Sequence, residues 1–194
     1  MIHLCYLAAG CSRRFGENKL LVPFAGVPLW RHGYAALVQA RDAFGAKLHV
    51  ISRFPEILDA VGDEGVFSPD SEKGKSYSVR AALDAAGPVL PQDKILFLTA
   101  DQPKISANTV LRLLSLPLAQ TQGDSLPLIA CVSDGITDGN PVVFSASLVD
   151  ALRQLEGDAG GKSLFVRFPD RVARITASPD EQKDIDTKED MTSL

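Results

Sequence analysis

Short apolar runs alternate with amphipathic stretches from one end of the chain to the other. Residues 2–8 (IHLCYLA) are apolar enough for a buried first strand. A polar, glycine-containing loop follows over 10–18, then a brief extended piece over 20–24 and a turn at Ala25-Gly26. A helix is expected to open at Pro28, because proline suits a first helical turn. Leu29, His32, Gly33, Ala36, Leu37 and Ala40 recur at helical spacing and give that helix one packing face. The same reading predicts strands over 47–52, 65–67, 94–99, 126–132, 141–144 and 171–175. Helices are predicted over 56–61, 76–86, 107–116, 147–155 and 163–168, with a polar loop over 68–75. No repeat, low-complexity segment or long linker divides residues 1–194, so a single domain is expected. Strand–helix alternation of this kind implies an α/β fold, a mainly parallel sheet flanked by helices.

In such sheets ligands bind beyond the carboxyl ends of the strands, which ranks the loops. The first is Gly10-Cys11-Ser12-Arg13-Arg14-Phe15-Gly16-Glu17-Asn18-Lys19. It lacks the Gly-Lys-Ser/Thr ending of a Walker A loop and the G-x-G-x-x-G of a dinucleotide fingerprint. It offers backbone N–H groups and three cations, Arg13, Arg14 and Lys19, within seven residues. That chemistry suits a triphosphate; the alternative is a solvated basic turn. Its position in a loop predicts that truncating Lys19 removes charge but little core. The second loop is Thr99-Ala100-Asp101-Gln102-Pro103. Asp101 follows the most apolar strand and can hold Mg²⁺, which takes one or two carboxylates plus phosphates and water; a turn aspartate is the alternative. The third is the acidic stretch 184–190, where alternation points Asp184 and Asp186 to one side. Thr187 with Asp190 three residues on reads as a helix-capping box.

Smaller features add to these. Gly74-Lys75-Ser76-Tyr77-Ser78 leads into a helix whose N-terminus suits a phosphate or a simple cap. Gly139-Asn140-Pro141 and the loop 157–161 face substrate or make turns. His3, His32 and His49 have no triad spacing and read as packing or surface residues.

Composition narrows the function classes. The net charge of -4 and the absence of a basic run argue against nucleic acid as partner. Three cysteines with no Cys-x-x-Cys pair point away from a disulfide framework or a zinc site and toward a reducing cytoplasm. Leu7-Ala8-Ala9-Gly10-Cys11 has the look of a lipoprotein cleavage site, but no cationic segment precedes it. No apolar run approaches the roughly 20 residues of a membrane helix.

Together these segments resemble the MobA-like nucleotidyltransferase family, and within it the molybdenum cofactor cytidylyltransferase branch (MocA type). The family pattern Leu-Ala-Ala-Gly-x-Ser-x-Arg-Met-Gly-x-x-Lys is matched over residues 7–19 with Phe15 for methionine, followed by Leu20-Leu21-Val22-Pro23 and Gly26-Val27-Pro28-Leu29. Asp101-Gln102-Pro103, Gly139-Asn140-Pro141, the loop 157–160 and the stretch 184–190 follow in the family's order. The chain departs from that pattern with Asn140 for histidine, Gly161-Lys162 for Ala-Arg, Ala82 for glycine and Lys188 for proline. The resemblance implies a Rossmann-like fold of the nucleotide-diphosphosugar-transferase type. It implies transfer of CMP from CTP to the phosphate of molybdopterin cofactor, giving the cytosine dinucleotide and pyrophosphate. Leu7, Ala8, Ala9 and Gly10 would meet the base, Ser12 and Ser78 the nucleotide phosphates, and Arg13 and Lys19 the triphosphate charge. Asp101 and Asp186 would hold Mg²⁺, with Asp184 as substitute, and Asn140 and Asp158 would lie on the acceptor side. A monomer is expected, with a molybdenum hydroxylase as recipient. The alternatives are a guanylyl- or sugar-phosphate nucleotidyltransferase and a non-catalytic cofactor-delivery protein.

Overall fold

The computed structural model describes residues 1–10, Ser12 and 15–193. Its strands are β1 (Ile2–Leu7), β2 (Pro23–Phe24), β3 (Val27–Pro28), β4 (Lys47–Ser52), β5 (Gly65–Phe67), β6 (Lys94–Thr99), β7 (Ile129–Ser133), β8 (Asp138–Ser145) and β9 (Val172–Thr176). The helices between and after them are α1 (Trp30–Phe44), α2 (Pro55–Val61), α3 (Lys75–Ala86), α4 (Ala107–Ser115), α5 (Val149–Arg153), α6 (Ser163–Arg167), α7 (Pro179–Gln182) and α8 (Lys188–Ser193). Seven strands form one sheet in the order β5-β4-β1-β6-β8-β7-β9. β8 alone runs against the other six, so the expected mainly parallel sheet is what the chain builds.

Both faces of the sheet are covered. Alternation along β1 and β6 sends Leu4, Tyr6, Leu96 and Leu98 to the face packed by α1 and α4. Cys5, Ile95 and Phe97 go to the face packed by α3, α5 and α6. On α1 the buried residues Trp30, Gly33, Ala36, Leu37 and Ala40 form the predicted stripe. Gly33 is needed there: a Cβ would lie 2.8 Å from the Tyr6 hydroxyl, which donates to the Trp30 carbonyl at 2.5 Å. The helix ends at Gly45, whose φ of 60° is left-handed. Cys5 and Cys131 are buried free thiols, and burial pushes Cys131 up to about 12.

Three local readings change. Pro28 does not open α1; it pairs with Pro23 in the β2–β3 hairpin, closed by Ala25 and Gly26 with φ of 45° and 91°. Two positive φ values match the twist of a tight hairpin, and the helix starts only after the chain has turned back. The strand expected over 141–144 begins earlier, at Asp138. A bulge where the β7–β8 register shifts lets the strand continue across Pro141, which has no N–H to give the ladder. The short α7 escapes periodicity altogether, although Ser178 and Glu181 form a complete capping box.

On β1 and β4, His3 and His49 stack with ring centroids 5.7 Å apart, which bears out their reading as packing residues. Burial, then the His3 and Lys47 charges, lowers His49 to about 4; burial also lowers His3, against the pull of Asp93. The folded pair therefore binds fewer protons than the unfolded chain between about pH 4 and pH 6.5. Stability rises with pH across that window and is lost as pH falls through it. We expect acidification from pH 7 to pH 4 to cost on the order of 1–3 kcal/mol through this pair. His49→Phe should flatten that part of the curve. Thermal midpoints against pH for the two proteins check this, and parallel curves would refute it.

Candidate active site

After β1 the chain crosses to β4 on one side; after β5 it returns to β6 on the other. The strand order thus reverses between β1 and β6, where open α/β sheets leave a crevice. The two strand ends are tied there by the Ala100 N–H, which donates to the Leu7 carbonyl at 3.1 Å. Beyond them lies a cavity of about 380 Å³.

Lys19 is the centre of its wall. The Asn18 side chain accepts from the Leu20 N–H at 3.2 Å and opens a single helical turn over Lys19–Leu21. The Ser12 hydroxyl accepts from the Lys19 N–H at 3.2 Å, and Leu20 is buried beneath the turn. This arrangement turns the Lys19 side chain inward. Its ammonium donates to Asp101 Oδ2 at 3.0 Å, to Asp186 Oδ1 at 3.1 Å and to the Ile185 carbonyl at 2.5 Å, which engages all three of its protons. Burial works to lower the lysine pKa, but the Asp101 charge and the bonds from Asp101 and Asp186 outweigh it, so the net shift is upward. Lys19 is only 6% exposed, which corrects the expectation that truncating it removes charge but little core.

The two carboxylates arrive from distant segments. Asp101 follows β6, and its backbone carbonyl accepts from the Ile185 N–H at 2.9 Å. Ile185 is fully buried between Asp184 and Asp186, and Asp186 lines the cavity. Further ties hold this C-terminal strap: Gln102 Nε2 donates to the Gln182 carbonyl at 3.0 Å, and the Ser106 and Thr109 hydroxyls each donate to Glu181 at 2.7 Å. Asp190 accepts from the N–H and hydroxyl of Thr187, the cap read in the sequence. Asp184 keeps surface open to water. The protein packed around its carboxyl, with the charges of Asp101 and Asp186, nevertheless pushes it up to about 6.

These acids fit a hard divalent cation. Asp101 Oδ1 is buried with no hydrogen-bond partner among the described residues, an unsatisfied acceptor at the cavity wall. No three His, Cys, Asp or Glu side chains converge as a complete ligand set among the described residues. Mg²⁺ does not need one, since it completes its shell with phosphate and water.

Leu7, Ala9, Gly10, Ser12, Lys19, Ser78, Asp101, Asp158 and Asp186 all line this cavity. Ala8 does not. It is fully buried in the core, its N–H donates to the Ile51 carbonyl at 2.8 Å, and its carbonyl accepts from the Ser52 hydroxyl at 2.9 Å. No part of Ala8 is left for a base. Arg13 lies outside the described residues. Ser78 donates to Ser71 at 2.8 Å, and at the start of α3 the Ser76 N–H donates to the Gly157 carbonyl at 3.1 Å. Asn140 lines a second cavity of about 290 Å³, shared with Asp158. Lys75 and Lys162 also border that space, although neither is among the site residues expected from the sequence. Lys162 stands in a departure from the family pattern, the one signal that could have found it. Gly161 beside it has a structural reason: a Cβ there would sit 2.4 Å from Phe144 Cζ.

The MobA-like NTP transferase domain matches residues 4–172. This chain belongs to that family. Purine catabolism protein PucB of Bacillus subtilis is 28% identical to this MobA-like transferase, over 95% of the chain and 91% of its own length. A probable molybdenum cofactor guanylyltransferase of the same species is 29% identical, over 97% and 92%. Among solved structures, the Methanothermobacter nucleotidyl transferase Mth528 superposes with a TM-score of 0.78 at 22% identity, covering 100% of this chain and 95% of that one. Rv0371c from Mycobacterium tuberculosis H37Rv, in complex with manganese, superposes with a TM-score of 0.73 at 23% identity, covering 100% and 97%. The seven-stranded, mostly parallel sheet with flanking helices is a nucleotidyltransferase fold. Among the described residues, no helix is long and apolar enough to cross a membrane.

Proposed function

We propose that this MobA-like transferase is a Mg²⁺-dependent single-domain enzyme that moves CMP from CTP to the phosphate of molybdopterin cofactor. The observation that carries the transferase reading is the cluster in the cleft: a buried lysine spanning two carboxylates that line a nucleotide-sized space, one of which keeps a buried oxygen with no partner among the described residues.

The acceptor phosphate has a second pKa near about 6 by analogy with phosphorylated side chains, so it is largely deprotonated at neutral pH. No general base is then required, and rate must come from alignment and charge neutralisation. Ala9, Gly10 and Ser12 border the space in which the nucleotide would lie. Lys19 and Arg13 are the cations proposed to neutralise the triphosphate and the departing pyrophosphate. Asp101 and Asp186 would hold Mg²⁺, which when bound supplies Lewis-acid polarisation of phosphate oxygens. The proposed recipient of the finished cofactor is a molybdenum hydroxylase.

Ala9 supports the choice of base. It lines the cavity at 2% exposure, and its methyl group is proposed to narrow the space for the base. A pyrimidine then fits better than a purine. The guanylyltransferase relative makes GTP the competing reading. With Mg²⁺ and molybdopterin, we expect pyrophosphate release to be faster with CTP than with GTP, ATP or UTP. Faster turnover of GTP would reverse the assignment. No release with any nucleotide would favour a delivery protein over an enzyme.

A further inference from the structure

The C-terminal strap brings Asp186 to the cleft with little packing of its own. Its helices α7 and α8 have only four and six residues. Among the described residues of 178–190, Ile185 alone is buried. A segment with so few apolar contacts opens locally unless hydrogen bonds fasten it. The place of Asp186 beside Lys19 therefore depends on those bonds.

The fasteners are unequal. The bonds from Ser106 to Glu181 lie at the surface, where water competes for both partners. Gln102 is 2% exposed, so its Nε2 bond to the Gln182 carbonyl is shielded from that competition. A carbonyl only accepts, which fixes the amide with its nitrogen toward the strap. The Gln102 Oε1 is buried with no partner among the described residues. An orphan acceptor loses its water and gains nothing in exchange. An apolar side chain of the same length would avoid that cost, so filling space does not account for an amide here. The Nε2 bond does. Gln102 also follows Asp101 directly, in the turn that leaves β6, and Gln182 stands four residues before Asp186.

We propose that Gln102 is a positioning residue: its amide fastens the strap at Gln182 and so sets Asp186 opposite Asp101 across Lys19. One turn then places both carboxylates, Asp101 directly and Asp186 through Gln102. The consequence for metal use rests on the transferase reading above; the fastening itself does not.

The test compares the wild type with Gln102→Met, which keeps the length and loses the donor, and with Gln102→Glu, which turns a carboxylate toward the same carbonyl. Gln182→Ala is the control and should match the wild type, because the bond goes to its backbone. Hydrogen exchange over residues 180–190 should be about tenfold faster in both Gln102 variants, the size of one lost buried bond. The amides of β1 and β6 should keep a clearly larger share of their protection. Each opening of the strap frees Lys19 from two of its three partners, Asp186 and Ile185. Acetylation of Lys19 by acetic anhydride should therefore also rise about tenfold. In pyrophosphate release from CTP with molybdopterin, the half-saturating Mg²⁺ should rise by about tenfold, and the rate at saturating Mg²⁺ should change less. Wild-type exchange and acetylation in both Gln102 variants would overturn the proposal. So would exchange that speeds up equally in β1 and β6, an equal effect of Gln182→Ala, or slower release at an unchanged Mg²⁺ dependence. Failure of the enzyme reading looks different: exchange and Lys19 acetylation still respond to Gln102, yet the wild type releases no pyrophosphate with any nucleotide.

Discussion

Asp101→Asn is expected to fold with a modestly lowered thermal midpoint, since the buried Lys19 loses one of its two carboxylates, and to lose most Mg²⁺-dependent activity. Asparagine keeps the size of the side chain and one acceptor oxygen. The Asp101 backbone carbonyl, which anchors Ile185, is untouched. A role in turn geometry therefore survives the change. What goes is the negative charge that a hard cation requires, at the carboxylate whose Oδ1 has no partner among the described residues. The variant also puts a neutral amide opposite the Lys19 ammonium, which keeps its bonds to Asp186 and Ile185. Activity should fall by at least about a hundredfold at low Mg²⁺, the size of losing roughly 3 kcal/mol of transition-state stabilisation. Titrating Mg²⁺ against rate should give a strongly right-shifted or flat curve. A curve that overlays the wild type would return Asp101 to an ordinary turn residue, and the metal would have to be sought at Asp184 and Asp186.

Lys19→Ala should be the more disruptive change, because it removes a buried cation from between two acids. Three charge-assisted bonds disappear, each worth about 1.5–3 kcal/mol in favourable settings. They do not simply add. The Asp186 side chain is 39% exposed and can recover water, so a net loss of about 1–3 kcal/mol is the reasonable size. The remaining carboxylates then repel each other across the cleft. We expect Mg²⁺ to raise the thermal midpoint of Lys19→Ala more than that of the wild type, since the ion replaces the missing charge. Transfer should remain at least about a hundredfold slow even when Mg²⁺ has restored the fold, if Lys19 also serves the triphosphate. Lys19→Met keeps the packing of the stem and separates lost volume from lost charge. A variant with an unchanged midpoint and near-normal transfer would remove Lys19 from both roles.

Hydrophobic periodicity was enough to place most elements, because it records which face of each strand or helix is buried. It placed β1, β4 and β6, the α1 stripe, and the loops that leave the carboxyl ends of β1 and β6. The Thr187–Asp190 cap was equally legible, being a contact across three residues. Local signals failed where a segment's shape depends on a partner. Pro28 reads as a helix start until Pro23 pairs with it, and Pro141 reads as a strand start until the β7–β8 bulge carries the strand past it.

The chemistry divides in the same way. Sequence alone picked out Lys19, Asp101 and Asp186 as polar residues beyond buried runs, and the family pattern gave them a common purpose. It could not show that they touch, since Lys19 lies 82 residues from Asp101 and 167 from Asp186. Nor could it tell Ala8 from Ala9. Neighbours on a strand end look alike in sequence, yet one packs into the core and the other lines the cavity. Lys75 lies in a stretch that suits a phosphate or a simple cap and Lys162 in a departure from the family pattern, and only the folded sheet brings their loops to one apolar space. Local pattern follows from residue-by-residue burial, so one sequence contains it. The strand order and the meeting of charges across the cleft depend on long-range packing, which only the folded chain decides.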